Sequence, residues 1–159
     1  LGLNPIAYAF SKIIFTSIIA IFQGVWMCGF VKLICQFPGA WLEQLSIMAG
    51  VCLAMTLICL GFSALMKSAE KASLLTIYLV GFQLPLSGIV WVFRPFVNAY
   101  WGWSGFFDAM SNSSIYDAYT SMNQNAEIFS FSTSILVLAI QALAGTLMLL
   151  AGCLRYQRD

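Results

Sequence analysis

The sequence predicts an all-α membrane protein with four transmembrane helices and a long external, partly re-entrant connector before the last of them. Three observations carry this. Hydrophobic residues make up 61% of the 159 positions and charged residues only 8%, against about a quarter charged in a soluble domain. Mean hydropathy is +0.89, more apolar side chain than so small a globule can hide from water. The charges are spaced so that four long apolar runs lie between them, and an ionised group at the bilayer centre costs about 2.5 to 3.5 kcal/mol even on lenient insertion scales.

Those runs lie between Lys12 and Lys32, Glu43 and Lys67, Lys71 and Arg94, and Glu127 and Arg155. About 20 residues at 1.5 Å rise cross a hydrocarbon core about 30 Å thick. In hydrocarbon the backbone must bond within its own segment, so each run reads as a helix, with spans over about 9–33, 42–66, 71–93 and 129–154. The whole of 1–159 forms one transmembrane domain. It starts at Leu1 with no signal peptide following, and reads as an excerpt of a longer protein.

The connectors differ in kind. Cys35 to Trp41 is a short turn punctuated by Pro38 and Gly39, and Lys67 to Lys71 is a shorter polar one. The third, about 94–128, is long and rich in aromatic residues, Asn and Ser. Tyr100, Trp101 and Trp103 there suit either an interfacial aromatic belt or a re-entrant hairpin packed on the helices. An even number of spans puts both termini on one face. Lys12, Lys67, Lys71, Arg155 and Arg158 share that face, against Lys32 and Arg94 opposite, which makes the terminal face cytoplasmic. The setting is a plasma or bacterial inner membrane.

Within the spans, Gln23, Gln83 and Gln141 should face other helices or a cavity, as interhelical hydrogen-bond donors or as the lining of a path. Ser46, Gly50 and Ala54 form a small-residue stripe for close helix packing. Pro85, followed by Ser87 and Gly88, predicts a kink or break in the third span, which either lines a substrate path or only serves packing. Lys12 and Arg94 read as interface anchors. Asn112-Ser113-Ser114 matches a glycosylation triplet on the external side.

Much chemistry is excluded. There is no histidine, and the five cysteines lack a C-x-x-C pair, so neither a metal site nor a disulfide framework is expected. No phosphate-binding loop, dinucleotide fingerprint or nucleophile elbow occurs. The chain itself is therefore no enzyme and carries no cofactor. A net charge of +1 gives no sign of nucleic-acid binding.

The order of motifs resembles the permease domain of type-2 ATP-binding cassette exporters, especially the G-type group. Ala7-Tyr8-Ala9-Phe10-Ser11-Lys12 resembles the family's lead into its third membrane helix. Leu60-Gly61-Phe62-Ser63-Ala64-Leu65, with Ala72 downstream, loosely matches a Gly-rich signature ending the fourth. Leu86-Ser87-Gly88 matches one near the end of the fifth, with Leu in place of Phe, and a long external segment with short re-entrant pieces then leads to the last helix. The resemblance covers nearly the whole chain as membrane helices three to six.

It implies alternating access driven by ATP and Mg on a partner cassette domain, fused upstream or separate, with a second permease half completing a dimer. The cargo is hydrophobic or amphipathic. Phe82, Gln83, Leu86 and Val90 around Pro85 would line the substrate path. Lys67, Glu70 and Lys71 would meet the ATPase, or act only as topology signals. A self-contained tetraspan adhesion or organiser protein is the rival class, although its large loop normally holds disulfides and 94–127 contains no cysteine. A membrane enzyme using Asp108 and Asp117 would lack a base and a nucleophile. The topology is testable in intact cells: an impermeant maleimide should label N112C and not S68C, and external labelling of S68C would overturn the orientation.

Overall fold

In a computed structural model the described residues, 4–89, 95–124 and 127–158, form six helices and no strand; for 82–89 and 156–158 only the backbone is described. The elements are α1 (Pro5–Cys35), α2 (Trp41–Leu65), α3 (Ala69–Ile89), α4 (Asn98–Asp108), α5 (Ser114–Met122) and α6 (Phe131–Arg158). Local chemistry fixes several ends. Asn4 caps α1 by accepting from Ile6 N at 3.1 Å, with Pro5 at the first helical position, where its missing N–H costs nothing. At the other end Gln36 turns left-handed at φ 50, and its N–H donates to Lys32 O. Gly39, at φ +120, completes the turn into α2.

Three helices, α1, α2 and α6, are long and apolar enough to cross a membrane, with mean hydropathies of 2.0, 2.3 and 2.2 over their best windows. Only 22%, 22% and 28% of those windows are buried within the chain, so most of their apolar surface faces outward. Phe15, Phe22, Trp26 and Leu33 on α1 are each more than 60% exposed. Surface this large and continuous needs an apolar solvent. The chain is an integral, all-helical membrane protein. The third expected span falls on α3, whose backbone stays helical through Pro85 to Ile89, so of the kink or break expected there no break occurs.

The bundle is held by small residues. α2 packs most extensively on α6 and next on α1. A Cβ added at Gly145 of α6 would lie 2.5 Å from the carbonyl carbon of Leu57, and one at Gly61 of α2 would lie 2.7 Å from Gly145 O. The two backbones therefore touch, which maximises dispersion contact where no hydrophobic effect drives helices together. On α1 the buried positions Ala20, Gly24, Cys28 and Lys32 recur every fourth residue, and a Cβ at Gly24 would lie 2.8 Å from Ala49 Cα. Of the anticipated stripe, Ala54 is fully buried and Gly50 meets Leu138. Ser46 is exposed and bonds its own helix at Leu42 O.

Gly145→Leu should force the α2–α6 crossing apart at a cost of about 1–3 kcal/mol or more, read as a lowered midpoint of unfolding in detergent. Gly29→Ala, where an added Cβ meets nothing within 4 Å, should leave the midpoint unchanged or slightly raised.

Candidate functional site

The segment between α3 and α6 packs into the bundle through α4. Asn98 Nδ2 donates to Val51 O at 3.4 Å and Gln141 Nε2 donates to Pro95 O at 2.9 Å. Val51 and Gln141 each lie ten residues from the start of their helix, about 15 Å along its axis. At the far end of α4, Asp108 Oδ2 accepts from Phe131 N at 2.9 Å, at the first residue of α6, where a carboxylate also suits the helix dipole. α4 thus starts halfway down α2 and α6 and climbs antiparallel to both, filling the groove between their first halves.

Sequence supplies the fit. Gly102 faces Val51, and Gly105 faces Ile47 and Ser134, leaving no room for side chains. Tyr100 and Trp101 are 4% and 7% exposed and join Ile47, Ala54, Val97 and Leu138 in the core. They are core residues of a helix packed among the others, and Trp103, at 36%, is the one left at the surface. Tyr100 OH donates to Glu127 O at 2.9 Å and Ser104 Oγ accepts from Phe129 N at 2.7 Å, tying the segment that leads into α6 onto α4. Phe107 and Trp103 hold α5 through Tyr116 and Tyr119, with ring centroids 4.7 to 5.6 Å apart.

The α2–α4–α6 seam is polar at its heart. Asn98, Ser134 and Gln141 are at least nine-tenths buried, and Asn98 Oδ1, Ser134 Oγ and Gln141 Oε1 have no hydrogen-bond partner among the described residues. Both amides spend their donors on backbone carbonyls and keep their acceptors. Gln141 is therefore interior, whereas Gln23 on α1 is exposed. The side chains of Phe82, Gln83 and Leu86, and Val90 altogether, lie outside the described residues. Lys67, Glu70 and Lys71 are all exposed in and after the α2–α3 turn, where Ser68 Oγ accepts from Lys71 N. Asn112 is exposed in the α4–α5 turn.

Lys32 is the residue whose role the charge pattern concealed. It is 3% exposed, although it bounds an apolar run like any anchor. Its Nζ donates to Gly39 O at 2.9 Å and to Gln44 Oε1, and lies 5.0 Å from the Trp41 ring centroid. Gln44, fully buried, returns its Nε2 to Pro38 O at 2.9 Å. The ammonium is thus neutralised by carbonyl dipoles and a ring face, at a helix C-terminus that favours a cation. Its signal in the sequence was the four-residue spacing from Cys28 and Gly24.

Cavities flank this core at both ends. One of about 500 Å³ opens between the Pro38–Gly39 turn, Asp108 and Ser130. Another of about 580 Å³ lies at the opposite end between α1, α2 and α6. No group of three or more metal-binding side chains occurs among the described residues. Compared with family models, curated proteins and solved structures, the chain finds no match.

Lys32→Met should cost about 1–3 kcal/mol by stranding Gln44 Oε1 and Gly39 O, and Gln44→Leu should cost at least as much by stripping a buried ammonium. The double variant should lose less than the sum, as measured by a thermal double-mutant cycle in detergent.

Proposed function

We propose that the chain is the membrane-spanning permease part of an ATP-driven exporter, moving a hydrophobic or amphipathic substrate by alternating access. The reading rests on the sequence resemblance described above. The observation that carries it furthest is the lodging of α4 between α2 and α6, since the resemblance implies a connector with re-entrant pieces between the last two membrane helices. In this reading α3 is the third of four spans and both termini lie in the cytoplasm. The exposed Lys67, Glu70 and Lys71 then face a cassette ATPase, which holds ATP and Mg, and a second permease half covers part of the outward apolar surface.

The buried acceptors of Asn98 and Gln141 support a path that passes the middle of the bundle, because polar groups at that depth are kept where helices or cargo meet them. Phe82, Gln83, Leu86 and Val90 remain the proposed lining on α3. A self-contained organiser of the tetraspan kind is the weaker reading, because its external loop would stand clear of the spans, whereas α4 fills the groove between two of them.

The test is reconstitution with the cassette ATPase encoded in frame or alongside. The pair should co-purify, and Lys67→Glu with Lys71→Glu should weaken pairing about ten-fold, or about 1.4 kcal/mol. Gln83→Ala and Leu86→Ala should change substrate-stimulated ATPase activity without loss of membrane insertion. Failure of any cassette partner to co-purify would sink the exporter reading.

A further inference from the structure

The cavity of about 580 Å³ at the end shared by the start of α1 and the ends of α2 and α6 has a chemistry of its own. Leu60 and Leu149 are among its apolar lining residues, and Tyr8, Lys12, Ser63 and Cys153 line it too. Lys12 sits seven residues into α1, yet its Nζ lies 5.9 Å from the Tyr8 ring centroid, one turn nearer the helix start. The ammonium of this exposed residue therefore reaches back toward the helix start, at the open rim of the cavity. Ser63 lies two residues from the end of α2, at the corresponding height, and is exposed.

The cavity thus brings one cation and two hydroxyl-bearing side chains together with an aliphatic wall. Among the described residues no carboxylate lines the cavity. Among the described residues, the surrounding end of the bundle adds exposed Lys67, Lys71 and Arg155 against Glu70 alone. A free anion would satisfy the rim and leave the leucine wall wet, whereas a neutral lipid would fill the wall and leave the ammonium without a counter-charge. From this we infer that the cavity binds one anionic phospholipid, with its phosphate held by Lys12, Tyr8 and Ser63 and an acyl chain laid between Leu60 and Leu149. The inference needs only that the bundle sits in a bilayer, and it stands whether or not the chain is an exporter.

The experiment uses the purified full chain in detergent with added palmitoyl-oleoyl phosphatidylglycerol or phosphatidylcholine. Lipid retention is read by native mass spectrometry, and alkylation of Cys153, half-buried in the cavity wall, by peptide mass spectrometry. The parent should retain phosphatidylglycerol in preference to phosphatidylcholine, and phosphatidylglycerol should slow Cys153 alkylation. Lys12→Gln should lower phosphatidylglycerol retention about five-fold, the worth of one basic residue at an anionic surface, with phosphatidylcholine unchanged, and Lys12→Arg should restore it. Equal retention by the parent and Lys12→Gln would overturn the inference. So would protection of Cys153 by glycerol 1-phosphate alone, which would mark a free phosphate site, or by both lipids equally, which would mark a non-selective apolar groove.

Discussion

Backbone N–H and C=O groups that are removed from water have to find partners within the chain, and the placement of α4 follows from that requirement. A connector sunk into the groove between α2 and α6 satisfies its interior backbone as a helix and is bonded to its neighbours through side chains at each end. Asn98 and Gln141 meet carbonyls at its deep end, and Asp108 meets the first N–H of α6 at its shallow end. Tyr100 and Ser104 fasten the returning segment in between. The glycines of α4 and the touching backbones of α2 and α6 then become geometrical necessities, because the groove admits a helix only where side chains are reduced to hydrogen.

The two ends of the bundle handle charge differently. Beside the Pro38–Gly39 turn a lysine is buried with no carboxylate partner among the described residues, and two carbonyl-type oxygens with an aromatic face replace one. That arrangement fixes the α1–α2 hairpin geometrically, since neither Lys32 nor Gln44 can leave without stranding the other. At the opposite end the cations stay exposed around an aliphatic cavity. One end is closed by internal dipoles, while the other presents its charge to whatever lies outside the chain. Between them lies an apolar exterior that matches lipid, with Gln23 among the exposed residues.

Much of this could be read from residue order alone. The charge gaps marked α1, α2 and α6, because ionised groups and hydrocarbon exclude each other whatever the tertiary structure. The same gaps marked α3 as helical, although they could not foretell that its backbone would pass Pro85 unbroken. The turns at Pro38–Gly39 and Lys67–Lys71 were equally plain, since proline and glycine act on the chain locally. The partner and substrate remain matters of resemblance and proposal, because both are decided by surfaces that a single chain does not pair.

The sequence by itself therefore determined the solvent and the secondary structure: apolar length between charges demands lipid, and lipid demands helices. Only the tertiary structure decided that Tyr100 and Trp101 are core rather than belt, that Lys32 is buried, and that Gln141 faces inward while Gln23 does not. The reason is that apolar periodicity carries no information in a medium as apolar as the protein interior. Which face of a helix is covered is then set by where small residues let backbones touch, and by which donors and acceptors meet across helices far apart in the chain.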